Sequence, residues 1–431
     1  MADLSINFAG ISSPNPFWLA SAPPSNSAYQ VHKAFEAGWG GAVWKTVGPA
    51  LLNVTNRYGG LHFPGTRLAA INNLELISDR PLAVNLKEIR EVKAAWPDRA
   101  LLVSAMVEPT LAAWREITLM IEDTGADGIE LNFGCPHGMS ERKMGSAIGQ
   151  VPEYCAEITG WVSSVSRLPV IAKLTPNVTD ITYPARAALA GGASGLSLIN
   201  TVNSIMGVDL ENLQLKPAIG GQGGHGGMAG PAVKPMALHL LSEVARLPET
   251  SSVPISGMGG ISSWQDAAEF ILLGATSLQV CTAVMHYGFR IIEGLTDGLA
   301  RWLDAQGFPD LASCRGQVLS QIVPFKQLDL SYRVAASVDH SRCIKCNLCY
   351  TACEDGAHQC IDLTPLPLVR QDDCVGCGLC AQVCPEECIE MVELPAKFPA
   401  TTWQELTQAN PKIEEWETMA KFRAENGIDI H

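Results

Sequence analysis

Positive charge is in short supply in this chain. Its 431 residues carry 30 Lys and Arg against 44 Asp and Glu, for a net charge of -14 at pH 7 and a pI near 5.1. Nothing in that balance would neutralise a phosphate backbone, which excludes nucleic-acid binding as the main activity. Ordinary solubility accounts for the excess of acid. Long hydrophobic runs are missing too: no 18-residue charge-free apolar segment occurs, so no stretch is built to span a membrane. The opening "MADLSINFAG" places an aspartate at position 3 and shows no basic-then-apolar leader. The expectation is a soluble, cytoplasmic protein. Cysteine is sparse before residue 340, where only Cys135, Cys155, Cys281 and Cys314 occur. That distribution excludes a secreted disulfide framework.

The other ten cysteines crowd between Cys343 and Cys388, so the dense segment reads as a metal site. The remainder is globular in composition, 47% hydrophobic and 17% charged, and long enough for one large domain and one small one. From residue 17 to 283, short apolar runs recur, each followed by a loop and an amphipathic stretch: "FWLASAP", "GAVWKTV", "LLVSAMV", "GIELNFG", "PVIAKLT", "GLSLINT", "PISGMG" and "SLQVCTA". Helices are expected between them, for example over Trp114 to Thr124 and Trp264 to Leu273. Repeated strand–helix units with apolar strands imply a parallel sheet covered by helices. Eight of them in about 300 residues predict an α/β protein with a (β/α)8 TIM barrel. Lys45, Asn132, Lys173, Asn200 and Thr201 then fall at the C-terminal ends of strands, the rim that carries chemistry in such barrels.

Two glycine-rich segments read differently. "SGMGGISSWQDAAEF" (Ser256 to Phe270) ends the seventh strand and opens a helix with bare backbone N–H groups. With "QVCTA" ending the eighth strand, it predicts a phosphate site. "GGQGGHGGMAG" (Gly220 to Gly230) contains a G-x-G-x-x-G, but without a preceding strand of a βαβ unit or an acidic residue at the ribose position. It is expected to be a mobile loop over the barrel mouth, with Gly230 near a ligand.

The cysteine-rich segment carries "CIKCNLCYTAC" (Cys343, Cys346, Cys349, Cys353) and "CVGCGLCAQVCP" (Cys374, Cys377, Cys380, Cys384). Two C-x2-C-x2-C-x3-C runs form the pattern of a bacterial ferredoxin with two [4Fe–4S] clusters, in which the fourth thiolate of each run serves the other cluster. Cys343, Cys346, Cys349 and Cys384 are therefore expected on one cluster, and Cys374, Cys377, Cys380 and Cys353 on the second. Structural zinc more often takes two separated C-x2-C pairs. Cys360 and Cys388 are extra and read as small buried apolar residues. The expected domains are 1–325 for the barrel, 326–392 for the ferredoxin-like domain and 393–431 for a partly helical tail.

A phosphate site and two one-electron clusters need a converter between them, and flavin mononucleotide fits. Lys173 would face negative charge at flavin N1/O2, and Lys45 would hold the ring from the side. In "ELNFGCPHGM" (Glu130 to Met139) a thiol follows the fourth strand. A hydride added to an activated C=C bond leaves a carbanion or enolate that needs a proton on the neighbouring carbon. An ordinary thiol, about 97% protonated at pH 7, is a competent donor. Asn73, Asn132 and Asn200 offer the donors and acceptors that a cyclic amide or ureide needs. His137 is open between tuning Cys135, relaying its proton and capping the loop.

These stretches resemble a known family. From "NPFWLASAP" to His286, and again from Cys343 to Val392, the chain resembles the dihydropyrimidine dehydrogenases, most clearly in "AFEAGWG", "LELISDR", "NFGCPHGM", "AKLTPNVTDI" and "LQVC". Its length resembles the bacterial catalytic subunit, used with NAD. The resemblance implies reversible reduction of the C5=C6 bond of uracil or thymine, with hydride from FMN N5 to C6 and a proton from Cys135 to C5. It implies pyrimidine contacts at Asn73, Asn132, Phe133, Gly134, Asn200 and Thr201. It assigns FMN to Ser21, Lys45, Thr46, Lys173, Gly230, Met258, Gly259, Gly260, Cys281 and Thr282. The chain departs from the family in having Gly134 where the animal members have serine, and Lys143 where glycine is expected. The FAD and nicotinamide domains of the large single-chain members are absent. Electrons from NAD(H) or NADP(H) would therefore arrive through a partner flavoprotein subunit in a hetero-oligomer. The nearest rival is a dihydroorotate dehydrogenase-like enzyme, which shares the barrel and a loop cysteine but not the twin clusters.

Overall fold

The structure is a computed structural model describing residues 2–49, 53–63, 66–135, 143–328, 332–395 and 425. The chain divides into two compact units, Met1–Ser320 and Gln321–His431, where the sequence places a boundary between 325 and 326. His137 and the tail beyond 395, Glu425 excepted, lie outside the described residues. Among the described residues no helix is long and apolar enough to cross a membrane.

In the first unit the eight apolar runs are eight strands: β1 (Phe17–Leu19), β2 (Gly41–Val47), β3 (Ala100–Ala105), β4 (Gly128–Asn132), β5 (Val170–Lys173), β6 (Gly195–Leu198), β7 (Ile255–Met258) and β8 (Ser277–Val280). Every neighbouring pair is parallel, and pairing of β8 with β1 closes the sheet into a barrel. Both faces of such a sheet are covered, so the strands carry apolar runs without polar alternation. Some of the helices begin at a capping side chain. Thr110 accepts from the Ala113 N–H and starts a helix at Leu111–Glu122, earlier than the expected Trp114. Ser263 and Asp266 form a reciprocal capping box at the start of Trp264–Leu272.

The N-terminal hairpin Ile6–Phe8/Ile11–Ser13 supplies a plug that sequence reading does not reveal. Its Phe8 and Ile11 pack with Trp18, Val43, Leu102 and Ile171. Side chains of a strand alternate, so residues two apart share a face. Val43, Leu102 and Ile171 meet the apolar plug, and two residues further on Lys45, Ser104 and Lys173 are polar and point to the opposite end. The inward face of these three strands thus changes chemistry over one pleat.

The catalytic end carries a second sheet. Tyr58–Phe63 and Thr66–Asn73 form an antiparallel pair, joined by Gly226–Ala229 and Val202–Ser204 into four strands. The segment expected as a loop from Gly220 to Gly230 therefore ends as a strand, with Gly227 opposite Asn73.

The second unit is built on a long antiparallel pair, Tyr332–Val338 with Ile389–Pro395, and a short one, Ile361–Leu363 with Pro367–Val369. Helices Leu348–Gly356 and Leu379–Gln382 follow the two cysteine loops.

In the first unit, helix Ile291–Gln306 packs on Trp264–Leu272 through Gly298, where an added Cβ would stand 2.1 Å from Trp264 Cδ1. Gly298→Ala is expected to push this helix pair apart and destabilise the barrel by about 1–3 kcal/mol, the usual result of overpacking. Urea unfolding of the variant beside the parent checks this.

Candidate active site and thiol clusters

The barrel mouth opens into a cavity of about 1330 Å³, counted out to its open rim. Its wall brings together Ser21, Lys45, Thr46, Asn73, Asn132, Cys135, Lys173, Asn200, Thr201, Gly230, Met258, Gly259, Gly260, Cys281 and Thr282. Two of the expected residues stand elsewhere. The Phe133 side chain is fully buried in the main core, because it follows Asn132 and so points to the opposite face of the strand. Gly134 lies under Asn200: a Cβ there would come within 2.4 Å of the Asn200 amide nitrogen.

The floor is ionic. Glu130 of β4 is fully buried, and its carboxylate accepts hydrogen bonds from Ser197 of β6 at 2.9 Å and Gln279 of β8 at 2.8 Å. Its other oxygen faces the Lys173 ammonium of β5 at 3.4 Å. In the β4–β5 register Asn132 lies opposite Lys173, which sets the amide directly above this network. At the side, Lys45 pairs with Glu75 at 2.8 Å, and Glu75 also takes Arg57 at 3.3 Å and the Tyr58 hydroxyl at 2.8 Å. Burial, then the Glu75 charge, pushes the Tyr58 phenol above its ordinary range, so it remains a donor. Burial likewise pushes the Cys281 thiol up to about 12, against the pull of Lys173 and Lys45. Cys281 is thus a neutral thiol beside two lysines that are each paired with a carboxylate.

The amides are bonded to one another. Asn132 Nδ2 donates to Thr46 Oγ1 at 2.9 Å, and Thr46 Oγ1 stands 2.9 Å from Ser104 Oγ and 3.1 Å from Ser21 Oγ. Asn132 Oδ1 accepts from Asn200 Nδ2 and from the Gly134 N–H, both at 3.1 Å. Asn200 Oδ1 in turn accepts from the Thr201 N–H at 2.8 Å. Asn73 donates to the Gly227 carbonyl at 3.2 Å across the second sheet.

Cys135 follows this strand directly. Its carbonyl accepts from the Ser146 N–H at 3.0 Å, and it packs in a small apolar group with Ile77, Met106 and Met144. Gly145 stands beneath it at φ +59, where a Cβ would meet the Cys135 carbonyl at 2.7 Å. Lys143 also has a positive φ, 58°, a conformation that costs an L-residue about 1–3 kcal/mol and suits the glycine expected there.

Gly230, after the second-sheet strand Gly226–Ala229, and Gly259 and Gly260, after β7, all have positive φ. A Cβ on Gly260 would meet the Gly230 carbonyl at 2.9 Å, so the two loops touch. The Ser262 and Ser263 N–H groups both donate to Asp266 at 2.9 Å. The helix therefore caps itself, leaving Gly259, Gly260 and Ile261 outside the cap. Burial would raise the Asp266 carboxyl, but Lys234 and the two serines outweigh it and hold it below the usual range.

In the second unit the cysteines surround two voids. One, open to solvent, is lined by Cys343, Cys346, Cys349, Cys384 and Cys388. The other, also open, is lined by Cys353, Cys360, Cys374, Cys377 and Cys380. Among the described residues no three His, Cys, Asp or Glu side chains are grouped to hold a single metal ion.

Sequence reading passes over Glu75, Glu130 and Gln279. An acid inside the otherwise apolar "GIELN" strand is the signal that could have found Glu130.

A barrel with an ionic floor, a thiol on its rim and a separate thiol-rich unit defines the class: a barrel oxidoreductase with an appended iron–sulfur domain. Residues 3–303 match the family model for dihydroorotate dehydrogenase, and residues 336–391 match that for a 4Fe-4S dicluster domain. The chain is 42% identical over 361 residues to the Escherichia coli K12 NAD-dependent dihydropyrimidine dehydrogenase subunit PreA, covering 84% of this chain and 87% of that one. It is 39% identical over 328 residues to the chloroplastic dihydropyrimidine dehydrogenase (NADP(+)) of Arabidopsis thaliana, covering 74% and 77%. A crystal structure of DHODH from Eimeria tenella in complex with ferulenol is similar at a TM-score of 0.59 and 20% identity, over 73% of this chain and 88% of that one, and shows the fold alone. The chain belongs to the dihydroorotate dehydrogenase family, on the branch of the dihydropyrimidine dehydrogenases with their dicluster domain.

Removing one member of a buried ion pair leaves the other uncompensated, at about 3–5 kcal/mol. Glu130→Gln should therefore destabilise the barrel by about that much, whereas Glu75→Gln at the partly open side, 12% exposed, should lose less. Chemical denaturation of the two variants under one condition tests the order.

Proposed function

We propose that this chain is the catalytic subunit of a hetero-oligomeric, NAD(P)H-linked enzyme that reduces the C5=C6 bond of uracil or thymine to the 5,6-dihydropyrimidine, reversibly. The observation that carries the reading is that Cys135 shares one cavity wall with Asn73, Asn132, Asn200 and Thr201, beside Gly230, Gly259 and Gly260 and the end of β8. Relatives named for this activity at 42% and 39% identity support it.

The residues fit a flavin nucleotide. Gln279 lines the cavity, and its Oε1 is buried without a hydrogen-bond partner, so a ring N–H would satisfy it. The loops at Gly230, Gly259 and Gly260 admit no side chains and would hold the phosphate with Thr282. Lys45, Lys173, Ser21, Thr46, Met258 and Cys281 would surround the ring. When bound, FMN supplies the hydride and two [4Fe–4S] clusters the single-electron relay to a partner flavoprotein that binds FAD and NAD(P). Cys343, Cys346, Cys349 and Cys384 would hold the first cluster, and Cys374, Cys377, Cys380 and Cys353 the second. The two separate thiol-lined voids support that division.

The chain's own work is positioning and proton transfer. The NH2 groups of Asn132 and Asn200 each spend one hydrogen on the internal chain of amides and keep the second for the pyrimidine. The Cys135 thiol gives its proton to C5 of the ring, and in the reverse direction its thiolate takes that proton back. The apolar group around it excludes water on one side.

Cys135→Ala should keep pyrimidine binding and both kinds of cofactor yet lose about 10²–10⁴-fold in turnover, with Cys135→Ser also poor because a hydroxyl is a weaker acid than a thiol. Turnover near the parent rate in Cys135→Ala would remove the thiol from the chemistry. Dihydroorotate oxidised in preference to dihydrouracil would move the substrate to the rival class.

The loaded chain should contain one FMN and about eight irons, two cubes of four. Its flavin should be reduced only slowly by NADH until the partner flavoprotein is added. Zinc, about four irons, or rapid reduction of the isolated chain contradicts the arrangement.

A further inference from the structure

Each thiol-lined void has one cysteine more than a four-iron cube takes from its protein. The fifth thiols are Cys360 and Cys388, both only 3% exposed. Neither is scattered along its wall. Cys360 Sγ stands 3.5 Å from Cys353 Sγ, and Cys388 Sγ stands 3.4 Å from Cys384 Sγ. Cys353 and Cys384 are the thiols that close each set of four, the ones each cysteine run lends to the other cluster. Cys360 adds a second contact, since its backbone N–H donates to Cys353 Sγ at 3.4 Å. The two pairs reach the same geometry from different spacings, seven residues apart in one case and four in the other. A single repeated turn does not explain that. Filling apolar space does not explain it either, because an alanine or valine would serve as well as a thiol.

We propose that Cys360 and Cys388 are positioning residues that donate S–H hydrogen bonds to the ligand sulfurs of Cys353 and Cys384, and so raise the reduction potentials of the two clusters. The inference rests on the two-cluster reading above. Its physical basis is charge. A ligand thiolate shares the negative charge of its cluster, and reduction adds one more electron to that unit. A donor aimed at the ligand sulfur stabilises the more negative state more, so the reduced form gains. Hydrogen bonds to the sulfurs are one of the means by which a protein sets these potentials. A thiol is a weak donor, so the effect of one S–H should be about tenfold or less in the reduction equilibrium, and tenfold is 59 mV for a one-electron couple. Because each fifth thiol serves a different void, the two clusters are tuned separately.

The test uses the full chain, loaded anaerobically with iron and sulfide, as Cys360→Ala, Cys388→Ala, the double variant, and the two serine variants. Iron per chain, midpoint potentials followed by electron paramagnetic resonance, and the Fe–S(Cys) stretching bands in resonance Raman are read on each. We expect iron to stay at about eight per chain. Each alanine variant should lower the midpoint of one cluster and shift its stretching bands upward, the double variant should change both, and serine, which keeps a donor, should recover most of the parent value. Unchanged midpoints and bands in both alanine variants at full iron would overturn the proposal and leave two packing residues. Loss of about four irons in an alanine variant would also overturn it, because the thiol would then be a ligand. A parent protein that takes up zinc or only about four irons would instead bring down the two-cluster reading beneath it.

Discussion

A carboxylate with no exposure at all, inside a barrel, is the constraint on which this active site depends. Glu130 persists there because an ammonium and two neutral donors reach it from three other strands. Those strands, β5, β6 and β8, cannot slide relative to β4 without breaking the network. The same register that brings Lys173 to Glu130 sets Asn132 opposite Lys173, and the chain turns from Asn132 straight to Cys135. The position of the thiol is therefore inherited from a buried charge two residues upstream of Asn132. The ion pair need not make the protein more stable than an apolar core would. Its effect is to hold a lysine, with its charge compensated, at the floor of the cavity.

The mouth is built on a different principle. The second sheet draws one pair of strands from the segment after β2 and two single strands from the segment after β6, so Asn73 reaches the cavity from a layer separate from the barrel rim. Cys135 and Asn73 thus reach one cavity from different pieces of structure. Around Tyr58, Glu75 and Lys45 the side wall is polar and charge-balanced, whereas around Cys135 it is apolar.

The barrel was legible because eight apolar runs alternate with capped amphipathic stretches, and local chemistry is enough to mark them. The second sheet was not. Its strand Gly226–Ala229 is four residues long and half glycine, without the β-branched side chains that announce a strand. Its pairing joins Asn73 to Gly227, 154 residues away. The cysteine spacing announced iron–sulfur chemistry, and the thiols do gather into two separate groups, but the contacts of Cys360 and Cys388 depend on loop closure that no spacing rule records. Strand alternation would have separated Asn132, on the cavity side, from the Phe133 side chain, which turns into the main core. Glu130 escaped because an acid reads as solvent-facing until the lysine on the next strand is known.

Gly134 carries a consequence for how this site can change over time. The Asn200 amide occupies the space into which any side chain at 134 would grow, and it is held there by its bond to Asn132. A larger residue at 134 therefore needs Asn200 to shift, and with it the bond to Asn132. The two positions form an interlocked pair whose substitutions must be acquired together or through a poorly fit intermediate.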